Sequence, residues 1–371
     1  MRGSRDRIIA IAMLSPSVIL LAIFVYVFIA STAYTSLTNL TTQMQLSRRA
    51  PDFIGLLNYQ NFISAPLDSR FRNGFVNTIF FTFLFIAVCL ALGLLLAVLL
   101  DQKIRGEAIF RTIFLFPMAL SFVVTGVVWR WLFNVNAGIN RLPTLLGLPP
   151  GEFQWHTSQQ RILEFNWQDL PTIIAVVIGL VVILPAFYYI IRRRSRPAIF
   201  VLAIAMLLNI YLLFSATPAL WQALPRPERY GFNLALIALV IAAGWQMSGY
   251  TMAMYLAGLR GVPEELREAA RVDGCSELGV YRRVVLPLLA PITLSAMIVL
   301  GHISLKIFDL VYVLGGGDLL SIDVPGMYMW FETYRGFLPA RGAAVAMIML
   351  VLVAVVIVPY LYANLKGEQK K

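Results

Sequence analysis

The feature that most constrains this chain is a series of apolar runs, each long enough to cross a bilayer. They lie at about residues 8–30, 75–100, 112–133, 171–191, 198–216, 232–257, 288–312 and 341–363. A helix rises 1.5 Å per residue, so about 20 apolar residues match the roughly 30 Å hydrocarbon layer. The runs are continuous and do not alternate with polar positions, which points to helices rather than a barrel. With 59% of 371 residues hydrophobic and only 13% charged, no ordinary water-facing surface can be built. The predicted fold class is an all-α polytopic membrane protein of eight transmembrane helices.

The formal charge of +11 then needs a membrane explanation. Placing both termini in the cytoplasm gathers the denser basic stretches on one side. These are the N-terminus, the turn at Lys103 and Arg105, Arg192 to Arg196, the 258–286 loop and the tail. Nucleic-acid binding is disfavoured, because no soluble segment interleaves basic residues with aromatics. The first run is about 23 residues long, follows Arg2, Arg5 and Arg7 and lacks a small-x-small cleavage site, so it reads as a retained anchor. Cys89 and Cys275 sit at different predicted depths and form no disulfide or metal framework. Neither His156 nor His302 belongs to a metal cluster, and no G-x-x-x-x-G-K-[ST] phosphate loop is present. Catalysis, nucleotide binding and cofactors of the chain's own are therefore not expected.

The longest polar interruption in the C-terminal half is residues 263–287. Pro263 suits a first helical position, and Glu264 and Glu265 complement the positive end of a helix dipole. Leu266, Ala269 and Ala270 recur at helical spacing as a narrow face opposite Glu265, Arg267, Glu268 and Arg271. Gly274 should stop this helix, Ser276 should cap a second one, and Pro287 should mark the handover to a membrane span.

The same residues carry a family resemblance. Glu268-Ala269-Ala270, then Asp273-Gly274, then Val284 and Leu286-Pro287 resemble the EAA motif of ABC-importer permeases, with Val284 where Ile is usual and Cys275 where Ala is usual. The lead-in Pro263-Glu264-Glu265-Leu266 is similar to the carbohydrate branch, as is the weaker pattern Phe53, Gly55, Leu56, Asn58, Tyr59. The resemblance implies that Glu264, Glu265, Glu268, Ala269, Ala270, Asp273, Gly274, Leu286 and Pro287 couple the chain to an ATPase. It also implies a second homologous permease, two ATPase subunits that hold ATP and Mg, and an extracytoplasmic sugar-binding protein. If the pair of runs at 171–216 is removed, six remain, so the pair reads as an insertion in a six-helix core, with its Arg cluster available to lipid.

The two runs flanking the loop are expected to carry the pathway. Trp245, Gln246 and Tyr250 combine aromatic and carboxamide groups suited to a neutral sugar, or else serve ordinary bundle packing. His302, Lys306 and Asp309 share one face of a continuous helix. They mark either the pathway or a structural Lys306–Asp309 pair with His302 beside it. By resemblance, Tyr250 falls where the maltose permease contacts sugar. The other contact positions fall on Ala243, Gln246, Met247, Leu300, Ser304 and Ile307, several without the polar group a disaccharide would use. Local stretches such as Phe116 to Ser121, Ala257 to Val262 and His302 to Val311 look like permeases of glucose and glucose/mannose importers.

The expected organisation is an anchor at 1–30, an external loop at 31–74, a permease domain at 75–363 containing the coupling loop 258–287, and a cytoplasmic tail at 364–371. A second external loop, 313–340, carries Trp330 and Tyr334. The expected function is a multi-pass inner- or plasma-membrane permease for a monosaccharide, glucose or mannose. The same architecture with a disaccharide or glycerol phosphate as cargo is the first alternative. An ion-coupled secondary carrier is the second, although no inverted repeat supports it.

Overall fold

The computed structural model describes residues 2–64, 68–102, 105–166, 229–317 and 319–368. The inserted pair expected at 171–216 lies outside them. Helix α1 (Arg2–Leu21) passes through a π turn at Ala22–Val27 into α2 (Phe28–Ser36). The apolar stretch Ile11–Ser36 forms a rod whose membrane window is not buried within the chain. Two short helices, Thr42–Leu46 and Leu57–Ser64, occupy the expected loop 31–74 before α3 (Ser69–Leu100) begins. Then come α4 (Glu107–Ala119), α5 (Phe122–Leu132), β1 (Arg161–Asn166), β2 (Arg229–Asn233) and α6 (Ala235–Arg260). The 258–287 loop supplies α7 (Glu264–Val272) and α8 (Glu277–Val280), and the described chain closes with α9 (Leu286–Leu305), α10 (Asp309–Gly315), α11 (Pro325–Trp330) and α12 (Pro339–Glu368).

Among the described residues four helical stretches are long and apolar enough to span a membrane, and a bent pair makes a possible fifth. Four or five of the eight expected spans are thus found among the described residues. The all-α expectation needs one correction: β1 and β2 pair antiparallel, with Asn166 opposite Arg229. Residues 166 and 229 are therefore neighbours.

The predicted run 112–133 is not one helix. It bends by 100° between α4 and α5. The bend falls at Leu120 and Ser121, both extended, rather than at Pro117, which sits inside α4. Ser121 caps the new helix, its hydroxyl accepting from the Val124 amide at 3.2 Å. The run 288–312 is broken as well. Helix α9 ends at Leu305, and α10 restarts at Asp309 after Lys306, Ile307 and a strongly non-helical Phe308 (φ −138°, ψ −59°). The expectation that His302, Lys306 and Asp309 share one helical face is therefore wrong.

The centre of the bundle is α6 against α3. The Thr251 hydroxyl donates to the Cys89 carbonyl at 2.7 Å. Gly249 presses so closely on the Phe114 carbonyl of α4 that a Cβ there would collide with backbone. One buried cluster, including Phe81, Phe85, Leu239 and Leu300, fills the middle. A second, including Leu100, Leu259, Ala270, Val280 and Leu289, joins α3, α6 and α9 to the 258–287 loop. A third, of Phe62, Phe71, Tyr328, Ala344 and Val345, lies with the opposite ends of α3 and α12.

That opposite end also holds buried charge. Arg341 pairs with Asp68 and with Glu332 (2.7 Å) and donates to the Tyr328 hydroxyl at 2.8 Å. The Tyr328 hydroxyl in turn donates to Asp68. Arg70 pairs with Asp323 at 2.5 Å, while the Asn77 amide donates to the Asp323 carbonyl at 3.0 Å. Burial pushes the Asp323 carboxyl above the usual carboxylate range, against the opposing pull of Arg70.

Candidate functional site

Helix α7 is nine residues long and ends in a glycine turn. Asp273 is its last half-helical residue, and Gly274 follows at φ +80°. The Cys275 amide donates to the Ala270 carbonyl and the Gly274 amide to the Arg271 carbonyl, both at 3.0 Å. This is the paired bonding of a Schellman stop, which favours glycine at the left-handed position. No atom would touch a Cβ at Gly274, so backbone conformation alone demands the residue there. Ser276 then caps α8 as expected, accepting from the Gly279 amide at 3.3 Å.

Three details differ from the sequence expectation. Pro263 is the N-cap of α7 and not its first helical residue. Pro287 does not interrupt the chain, because α8 runs through a π turn at Tyr281–Val285 directly into α9, with Leu286 at its first position. The small-residue face is split: Ala270 is buried against the bundle, whereas Leu266 and Ala269 face outward. Along with Glu265 and Glu268, the exposed residues at this tip include Val272, 87% exposed, and Leu278, 79% exposed. An apolar surface of this kind, ringed by charge, is what a docking site presents to a partner.

The fixings of the elbow were not evident from the sequence. Arg267, mostly buried, donates to Asp101 at 3.0 Å and to the Leu259 carbonyl at 2.7 Å. Asp101 caps the end of α3, and Leu259 lies in the last turn of α6. One guanidinium therefore joins α7 to the ends of the two central helices. Arg271 holds the two loop helices together, bonding Glu264 at 3.1 Å and Glu277 at 2.8 Å. These two carboxylates raise the guanidinium above its already high ordinary value. Nearby, Arg260 reaches Glu107 at 2.6 Å and fastens the end of α6 to the start of α4. The only sequence signal for these contacts was a surplus of Arg near Glu264, Asp101 and Glu107, which did not specify partners.

The expected pathway residues separate into two groups. Gln246 is 3% exposed, and its amide donates to the Leu120 carbonyl at 2.7 Å. It thus satisfies the backbone oxygen freed by the 100° bend, which a helix interior would otherwise have paired. Trp245 meets Trp129 edge to face at 5.8 Å, and Tyr250 packs on the central cluster. Ser304 is buried and accepts from the Thr82 hydroxyl at 2.9 Å. Lys306 and Asp309 are both exposed, and no ion pair joins them among the described residues. The structural-pair reading of these two residues is corrected accordingly. His302 is half-buried, with Nδ1 unpaired.

The comparisons with known proteins agree with this geometry. Residues 198–369 match the family described as binding-protein-dependent transport system inner membrane component. A probable ABC transporter permease protein of Pyrococcus horikoshii is 33% identical over 372 aligned positions, covering 100% of both chains. A xylose/arabinose import permease protein of Haloferax volcanii is 31% identical, covering 85% of this chain and 77% of its own. A solved bacterial alginate ABC transporter, in complex with a periplasmic protein bound to an alginate pentasaccharide, superposes with a TM-score of 0.61 at 16% identity. That alignment covers 96% of this chain and 93% of the other, and it shows a shared fold. The chain is a membrane transport subunit and not an enzyme, and it belongs to the ABC transporter permeases of the binding-protein-dependent type.

Proposed function

We propose that the chain forms, with a second permease, the pathway of a sugar importer driven by two separate ATPase subunits and supplied by an extracytoplasmic binding protein. The observation that carries this reading is the elbow: an exposed helix, stopped by Gly274, whose base is bolted to α3 and α6 through Arg267. When the ATPases bind ATP and close, a push on Glu265, Glu268 and Val272 passes through Arg267 to Asp101 and Leu259, so α3 and α6 move together. The Gln246–Leu120 bond then carries that motion to the α4–α5 bend, and the cavity turns from one side to the other. In this arrangement both termini and the elbow lie in the cytoplasm. Glu264, Asp273, Leu286 and Pro287 shape the elbow, while Glu265, Glu268 and Ala269 meet the ATPase.

The cargo is a neutral sugar taken up through the bundle near Tyr250, Ser304 and His302. Glucose or mannose is supported by the local likeness of 116–121 and 302–311 to glucose-type permeases, and a pentose by the xylose/arabinose relative. The test is ATP-dependent uptake into vesicles holding the full complex, with labelled glucose competed by mannose, xylose, arabinose, maltose and glycerol phosphate. Competition by one neutral sugar supports the reading. Uptake that persists without ATPase subunits would instead indicate an ion-coupled carrier.

A further inference from the structure

We propose that a hollow beside the α9–α10 break is a second sugar subsite, separate from the Gln246–Tyr250 region; this rests on the sugar-importer reading. The cavity is about 300 Å³ and is lined by Phe308, Trp330, Thr333, Tyr334, Gly342 and Ala346, among others. Three rings form its aromatic wall. Phe308 lies 6.5 Å from Trp330, and Trp330 lies 6.3 Å from Tyr334. Tyr312, outside the lining, meets Trp330 edge-on at 5.1 Å and backs the wall. The Arg335 guanidinium, 5.4 Å from the Trp330 centroid, helps fix that indole in place.

Close-packed interiors fill gaps of this size, and here the gap persists because α12 contributes only Pro339 and the small residues Gly342, Ala343 and Ala346 opposite the rings. The site is also accessible: Tyr334 is 66% exposed. Lys306 and Asp309, flanking Phe308 in sequence, are exposed charges at the break of an apolar helix. Such charges face water or protein and not lipid. Asp309 and Tyr312 are three apart on α10, so the ring that backs the wall shares a helix face with one of those charges. Aromatic faces with hydroxyl and charged groups nearby match a sugar ring, whose C–H faces stack while its hydroxyls bond to groups such as Thr333 and Tyr334. Neither Gln246 nor Tyr250 lines this cavity, so a sugar released at the outer mouth would meet the ring wall as a separate station.

The experiment uses the whole reconstituted complex and the panel sugar that the wild type transports. It reads sugar moved per ATP hydrolysed for Trp330→Ala, Trp330→Phe, Tyr334→Ala and Trp131→Ala, the last an aromatic that is exposed in the chain and lies away from the cavity. The expected result is a loss of about fivefold for Trp330→Ala and a smaller loss for Tyr334→Ala, with Trp330→Phe and Trp131→Ala near wild type and ATPase activity retained. If Trp330→Ala fails to assemble, the exposed Tyr334→Ala decides the matter alone. Unchanged transport per ATP in the alanine variants of a transporting complex overturns the subsite and leaves the importer reading standing. A loss confined to complex yield overturns it too, in favour of simple interfacial anchoring. A wild type that moves no panel sugar overturns the importer reading and the subsite with it.

Discussion

The two ends of this chain handle charge in opposite ways. At the coupling elbow, Glu264, Glu265, Glu268, Arg271 and Glu277 stand in solvent, and the ion pairs among them are surface contacts of small individual worth. At the other end, Asp68, Asp323 and Glu332 are almost fully enclosed and are held by Arg341 and Arg70. Buried pairs of this kind add little net stability when intact but are costly to break, since the surviving partner is left unpaired in a poor solvent. The difference separates a rigid cap, which ties the segment before α3 to α11 and α12, from an elbow free to be engaged and moved. Arg267 is the exception at the elbow: it is mostly buried because it anchors the moving part to the central helices.

The contrast can be broken most severely at the cap. Arg341→Met should cost about 3–5 kcal/mol, because Asp68 and Glu332 lose their shared partner. A thermal-unfolding midpoint in detergent that stays at the wild-type value would refute the buried-network account. Gly274→Val should leave the fold and membrane insertion intact while uncoupling ATP hydrolysis from uptake. The cost at the elbow itself is about 1–2 kcal/mol for a left-handed β-branched residue, and normal coupling in this variant would count against the docking role. Arg267→Ala should lower transport per ATP more than it lowers assembly, because it removes the link from α7 to Asp101 and Leu259. Equal losses in both readouts would make Arg267 merely structural.

Smaller effects sharpen the same comparison. Arg271→Ala, on the solvated side, should shift the unfolding midpoint by no more than about 1 °C. His156 lies in the segment between α5 and β1. Burial and the nearby Arg130 charge hold its imidazole below its ordinary value. The folded protein therefore resists taking up a proton that the unfolded chain accepts. The stabilising contribution is full above about pH 6.5 and declines as pH falls below it. A stability–pH curve between 7 and 5 should flatten in His156→Gln, and an unchanged slope would remove His156 as its source.

How much of this was legible beforehand depended on whether the signal was local. The glycine stop and serine cap of the elbow follow from backbone rules acting over a few residues, so Gly274 and Ser276 could be placed from the sequence. The breaks could not. Between Ser304 and Asp309 there is no glycine or proline, and the helix stops where Gly326 packs against the Ile307 carbonyl, a contact made nineteen residues away. The visible breaker in the run 112–133 is Pro117, but the α4–α5 bend falls at Leu120, whose freed carbonyl accepts from the Gln246 amide of α6. The latter contact also explains why Gln246 looked like a cargo ligand: a buried carboxamide serves a bent backbone as well as it serves a sugar. The cap network joins residues more than two hundred positions apart, and no periodicity encodes that.

In the importer proposed above, the Glu264–Val272 helix is gripped by an ATPase subunit. The most direct test of this grip is site-specific crosslinking of Glu268→Cys in the fully assembled complex, in membranes, with and without ATP. The account predicts a crosslink to the ATPase whose yield changes when nucleotide binds. A cysteine that never crosslinks to the ATPase, and is labelled instead by impermeant reagents from outside the cell, would contradict it.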